Sequence, residues 1–186
     1  MSEPKTIYIN FYDSITPDHV KHIMASLSEI ISKEKPDKIY FLFSSCGGSV
    51  EAGVVLYNFI RSLPVEIIMH NTGSIDSIAN IVFLSANTRF TSDHSSFLFH
   101  CIIQPVNANT NLTKSQLQEL ISGINISENK IASIIAERTK LPLEEIRELF
   151  LQGEAKNPTF ALQKGIVHEI KNPSIPKGTE LLSFNL

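Results

Sequence analysis

The segment DKIYFLFSSCGGSVEAGVVLYNFIRSL, residues 37–63, sets the strongest limit on what this chain can fold into. Its first part is apolar at nearly every position over the length of one strand. A strand with one wet face alternates apolar and polar residues, whereas a near-continuous apolar run calls for cover on both faces, as in a parallel sheet flanked by helices. Gly47 and Gly48 then break the strand, and a helical pattern runs from Ser49 to Leu63. The same order recurs along the chain. TIYINFY reads as a strand and TPDHVKHIMASLSEIISKEKP as a helix, with Thr16 as N-cap and Pro17 at its first position. Val20, Ile23, Met24, Leu27, Ile30 and Ile31 make one apolar stripe on that helix. VEIIMHN is a strand followed by the short apolar helix DSIANIVFLSA, and RFTSDHSSFLFHCII holds one or two strands. LTKSQLQELISGINISENKIASIIAERTK is a long helix with Gly123 near its middle. PLEEIRELFLQG and PTFALQKG are shorter helices, and IVHEI is a final strand. This order predicts an α/β fold with a mostly parallel sheet and right-handed crossovers. The tail KNPSIPKGTELLSFNL reads as irregular, with LLSFNL free to dock on the core or on a neighbouring subunit.

Length and charge exclude several classes. A chain of 186 residues suits one α/β domain with a full core. The net charge of −3 argues against a nucleic-acid binder. No apolar run approaches the roughly 18 residues that span a membrane, and MSEPKTIYINFYDS lacks the basic-then-apolar pattern of a signal peptide. Two cysteines, Cys46 and Cys101, cannot build a disulfide framework, so a cytoplasmic location is expected. His19 and His22 share a helix face but lack a third ligand, so neither a metal nor another cofactor is expected.

Three stretches carry candidate chemistry. In SSCGGSVEAG, a buried strand meets a Gly-Gly turn and then a helix. Such a turn is a tight βα connection, or it brings backbone N–H groups close to a ligand. In HNTGSIDSIANIVFLSA, Ser77 stands at the mouth of an apolar helix, as a cap or as a nucleophile beside unpaired N–H groups. In RFTSDHSSFLFHCIIQP, His100 closes the apolar strand FLF, as a structural histidine or as a general base. Strand ends and helix starts gather at one edge of an α/β sheet, so Gly48, Ser77 and His100 can converge.

In this order and spacing, the three stretches resemble the proteolytic subunit of the ATP-dependent Clp protease, a serine peptidase of the ClpP/crotonase fold. The SPGGS-type turn appears as SCGGS, the G-x-A-x-S-M motif as Gly73 to Ile78, and the R-x5-S-x4-H segment as Arg89, Ser95 and His100. The GLVD ending appears as Gly165-Ile166-Val167-His168, so the likeness runs from about Ile7 to Ile170. It implies Ser77 as nucleophile, His100 as general base, and the N–H groups of Gly48 and Ile78 as an oxyanion hole. It also implies a single domain over residues 1–186, with a head of about 1–105 and 141–172. A handle helix of about 110–140 would join subunits into a homo-oligomeric ring acting on short or unfolded polypeptides.

The pattern breaks at three points. Counting back from Gly165 places Gly153, not an acid, where the family has its third triad member, and the neighbouring Glu154 is the candidate substitute on what reads as a loop to Pro158. Asp76 replaces a small residue beside the nucleophile. The first strand begins six residues in, whereas the family carries a longer segment that engages an AAA+ unfoldase ATPase, which weighs against that partner. The expected function is therefore a Clp-like serine endopeptidase, of low activity if the acid is missing. The alternatives are an inactive Clp-like scaffold and a crotonase-type acyl-CoA enzyme.

Overall fold

The computed structural model describes residues 4–106 and 111–184. In chain order the elements are β1 (Thr6–Tyr12), α1 (Pro17–Glu34), β2 (Lys38–Ser45), α2 (Val50–Ser62), β3 (Glu66–Asp76), α3 (Ala79–Leu84) and β4 (Thr88–Thr91). There follow β5 (Ser96–Leu98), α4 (Lys114–Arg138), α5 (Leu143–Gln152), β6 (Ala155–Lys156), α6 (Pro158–Gln163), β7 (Glu169–Ile170) and β8 (Leu181–Ser183). One sheet runs β6-β5-β3-β2-β1-β8, with β4 on β3 and β7 on β4. Its pairs are parallel except β5 with β6. The chain thus has the α/β, mostly parallel architecture that its strand-helix order requires.

Local chemistry sets the element ends. Thr16 accepts the His19 N–H at 3.1 Å, and Pro17 opens α1. Thr113 and Gln116 form a reciprocal capping box at the start of α4. Only the C-terminal end of α4 is buried, through Ala132 and Ile135, while Leu117, Ile121 and Ile126 are exposed. The base of α4 is held by arginines. Arg138 donates to the carbonyls of Leu84 and Ala86, and Arg89 donates to those of Arg138, Gly165, Ile166 and Ala86. Burial lowers the Arg89 pKa to about 10. Arg89, a motif residue, therefore fixes the fold rather than facing the cavity described below.

Two expectations need correction. The tail is not irregular throughout: β8 pairs with β1, and Phe184 meets the rings of Phe11 and Phe41 at centroid distances of 6.4 Å. An apolar LLSF segment covers the otherwise open edge of β1, a gain that its Pro-rich approach hides; the final two residues of the stretch lie outside the described ones. β2 is also not equally buried on both faces. Ile39, Phe41 and Phe43 are core, whereas Tyr40 and Leu42 are half-buried. Tyr40 instead joins an aromatic row with Tyr8, His70 and Phe90. Among the described residues, no helix is long and apolar enough to cross a membrane.

The sheet changes partners along β3, and this builds the cavity. Residues Ile68–Asn71 of β3 pair with β4, and Ser74–Asp76 pair with β5. Between these halves the register against β2 jumps, from Phe43↔Asn71 to Ser45↔Ile75. Side chains absorb the extra residues of β3. Asn71 Oδ1 accepts the Gly73 N–H at 3.0 Å, while Ser44 Oγ accepts the Ser74 N–H at 3.1 Å and donates to Ser74 O at 2.9 Å. The end of β3 is thereby carried between the glycine turn after β2 and the end of β5.

Candidate active site

The Gly-Gly turn lies against the residue that follows β3. Gly47 has φ +90°, and a Cβ there would come within 2.7 Å of both the Asp76 carbonyl oxygen and the Ser77 Cβ. Gly48 has φ +147°, and a Cβ there would come within 2.3 Å of the Ile15 carbonyl oxygen. Glycine is thus required twice, once for the backbone conformation and once for the close approach. The turn is held by Ile15 N–H to Gly47 O at 2.7 Å and Ser49 N–H to Ile15 O at 2.8 Å. Neither bond uses the Gly48 N–H.

Ser77 occupies a turn between β3 and α3 with φ +57°, one of two non-glycine residues with positive φ among the described residues. A β-carbon is disfavoured in this left-handed region, so a serine there is strained. The capping role left open by the sequence does not hold. The N-cap position of α3 is Ile78, which makes no side-chain cap bond. The Ile78 N–H precedes the first helical bonds, Asn80 N–H to Ser77 O and Ile81 N–H to Ile78 O. The Ser77 N–H is itself taken by Leu98 O at 2.8 Å, which ties the turn to β5.

Two residues beyond Leu98, His100 places Nδ1 at 2.6 Å from the Cys101 carbonyl oxygen. A carbonyl only accepts, so Nδ1 carries a proton, and in the neutral ring Nε2 is the nitrogen with the lone pair. Gly48, Ser77, Ile78 and His100 all line one cavity of about 260 Å³, with Cys46 at its edge and an apolar wall that includes Ile102, Ile103, Ile131, Ile135 and Phe150.

The acids are arranged differently. Glu154 pairs with Lys156 at 3.1 Å, and its side chain is 70% exposed. The loop expected from Gly153 to Pro158 is tied to the sheet, because β6 pairs Ala155 with Leu98 and Lys156 with Phe97. His100 Nδ1 meets a main-chain carbonyl, not the Glu154 carboxylate. Asp76 ends β3 and does not line the cavity. Burial holds its carboxyl above the usual aspartate range, opposed by the Ser74 hydroxyl and by nearby His100. Asp93 is exposed and accepts from the Asn172 amide at 3.2 Å.

Two polar residues escaped the sequence reading. Asn80 is buried among the apolar residues of α3, and its signal was an amide inside the run ANIVFL. His70 is fully buried in β3; Nε2 donates to Lys171 O at 2.8 Å, so Nδ1 accepts from the Tyr40 hydroxyl at 2.6 Å. Burial lowers its pKa, partly opposed by the Lys171 bond, and pushes Tyr40 up to about 12. His19 Nδ1 meets Ser14 O at 2.9 Å, and among the described residues no three His, Cys, Asp or Glu side chains gather as metal ligands would.

Known proteins share this architecture. The proteolytic subunit 2 of the ATP-dependent Clp protease of Pseudomonas aeruginosa is 26% identical over 159 residues, covering 80% of this chain and 70% of that one. The ATP-dependent Clp protease proteolytic subunit of Bigelowiella natans is 27% identical over 164 residues, covering 80% and 78%. The solved structure of a ClpP1 point mutant from Listeria monocytogenes superposes with a TM-score of 0.76 over 91% of this chain and 92% of that one, at 22% identity, a likeness of fold. The family model for Clp protease matches residues 4–174, so both the glycine turn and the Ser77 turn fall inside the matched region, and the chain belongs to the Clp protease family.

Proposed function

We propose that this chain is a Clp-like serine peptidase subunit that hydrolyses peptide bonds in short or unfolded polypeptides. The observation that carries this reading is the single cavity onto which Ser77, His100, Gly48 and Ile78 open. In this reading Ser77 Oγ attacks the scissile carbonyl carbon and its proton passes to His100 Nε2. The carbonyl electron pair moves to oxygen, where the N–H groups of Gly48 and Ile78 stabilise the developing charge as hydrogen-bond donors. Collapse of the intermediate expels the amine, which takes the proton from His100. Water then repeats the sequence on the acyl-enzyme. The apolar wall suits an apolar side chain beside the scissile bond.

The third member of the site is the Cys101 carbonyl, which holds the imidazole in the tautomer that leaves Nε2 basic. A neutral carbonyl stabilises the imidazolium less than a carboxylate would, so turnover is slow. Glu154 takes no part. The exposed Leu117, Ile121 and Ile126 of α4 support self-association into a ring through that helix, and an AAA+ ATPase is not needed for cleavage of short peptides.

A fluorophosphonate probe tests the proposal, since it reacts only with an activated serine. Wild-type protein should be labelled, and Ser77→Ala should not. The missing carboxylate favours one competing reading, an inactive Clp-like scaffold. Absence of labelling and of peptide turnover in the assembled protein would select that reading.

A further inference from the structure

Asn80 is 1% exposed and lies in the first turn of α3, three residues after Ser77. Its neighbours Ala79, Ile81, Val82, Phe83 and Leu84 are apolar core. Its Nδ2 lies 3.2 Å from Ile75 O, 3.1 Å from Ser77 O and 2.9 Å from Leu98 O. Three carbonyl oxygens around one atom fix the orientation of the amide, because the reversed amide would face them with its own oxygen. In consequence Oδ1 is buried without a partner among the described residues. Burying an unpaired amide oxygen is unfavourable, and an apolar side chain would avoid it. Stability alone therefore does not account for asparagine at this position.

The three acceptors show what the amide holds. Ile75 O and Ser77 O lie on the two sides of the strained turn. Leu98 O belongs to β5, two residues before His100, and it already accepts the Ser77 N–H at 2.8 Å. One buried donor thus joins the segment that presents Ser77 to the segment that presents His100. We propose that Asn80 is a positioning residue of the peptidase site, setting the separation of Ser77 and His100 by clamping both backbones; the inference rests on the reading of Ser77 and His100 as nucleophile and base. The clamp matters more here than beside a carboxylate-anchored histidine, because among the described residues the His100 ring hydrogen-bonds only the carbonyl of its own neighbour. A displacement of about 1 Å in such a pair can cost about a hundredfold in rate.

Two substitutions separate the clamp from the turn. Asn80→Ala removes every bond made by Nδ2. Asn80→Ser keeps a donor that can reach back to the carbonyl of Ser77 within the helix turn but is too short to bridge to Leu98. Fluorophosphonate labelling rate, kcat and KM for a short peptide, and melting temperature are measured on wild type, both variants and Ser77→Ala. The expected result is labelling of the wild type alone at full rate. Both Asn80 variants should then fall by about tenfold or more in labelling rate and kcat, with KM within about twofold and melting temperature nearly unchanged, since the orphaned oxygen is lost as well. Labelling of either folded variant within about twofold of wild type would overturn the clamp while leaving the peptidase reading intact. So would losses of activity that only track losses of melting temperature, or a loss of rate carried by KM. A wild type that labels no better than Ser77→Ala would remove the peptidase reading and this inference with it.

Discussion

Replacing Ser77 by glycine should stabilise the fold while removing the nucleophile. Ser77 has φ +57°, and holding a residue with a β-carbon in this region costs about 1–2 kcal/mol. Glycine relieves that strain but adds freedom to the unfolded chain, which offsets about 0.5–1 kcal/mol. Ser77→Ala keeps the β-carbon and loses only a hydroxyl that caps no helix, so its stability should stay within about 0.5 kcal/mol of wild type. Ser77→Gly should then exceed Ser77→Ala by about 0.5–1 kcal/mol. For a chain of this size that is about 1–4 °C in melting temperature. The assay is thermal unfolding of the two variants at one protomer concentration, since self-association also raises the melting temperature, alongside peptide turnover. Neither variant should turn over substrate. A Ser77→Ala protein that melts with or above Ser77→Gly would refute the strain argument, and turnover by either would refute the assignment of the nucleophile.

Stability should fall below neutral pH through His70. Burial depresses its pKa, so the fold binds the neutral ring; the stabilisation is complete above the ordinary histidine value near 6.5 and is lost as pH falls below it, at up to about 1.4 kcal/mol per pH unit. Urea unfolding between pH 7.5 and 5 should show this slope, and His70→Gln should flatten it. Gly48→Ala should abolish peptide turnover and destabilise by about 1–3 kcal/mol, because its Cβ would meet Ile15 O at 2.3 Å and its φ is unfavourable; unchanged kcat would remove this turn from the oxyanion role. Gly153→Asp should raise kcat by about tenfold or more through a carboxylate that holds the imidazolium, whereas Glu154→Gln should leave kcat unchanged. A Cβ at Gly153 meets nothing within 4 Å, but its φ of +59° disfavours a side chain, so Gly153→Asp should also lose about 1–2 kcal/mol of stability.

Those parts of the fold written as local patterns were legible in the sequence. The apolar run of β2, the Thr16-Pro17 start of α1 and the long helix before Arg138 each follow from residues close together in the chain. Convergence of the glycine turn, Ser77 and His100 was legible for a topological reason: in a parallel sheet successive strand ends share an edge. Features set by contacts between distant residues were not. β8 finds β1 across the whole chain, and β6 consists of two residues that read as loop until Phe97 and Leu98 pair with them. The jump in register at Asn71 decides which strand Ser77 adjoins, yet it rests on side-chain bonds to Gly73 and from Ser44 that no periodicity records.

The orienting group of His100 shows why a missing motif residue is a poor guide to a missing role. A sequence search for the third member looks for a carboxylate, and it finds Glu154 one residue from the vacant position. Gly153 is the left-handed C-cap of α5, β6 begins only at Ala155, and Glu154 between them turns to Lys156. The tautomer needs only an acceptor for the Nδ1 proton, and a main-chain carbonyl can supply one without appearing in any motif. What a carbonyl does not supply is negative charge at the moment the ring becomes cationic. In the proposed peptidase, orientation and charge stabilisation are therefore separate functions: the Cys101 carbonyl performs the first, and among the described residues no carboxylate hydrogen-bonds the ring to perform the second.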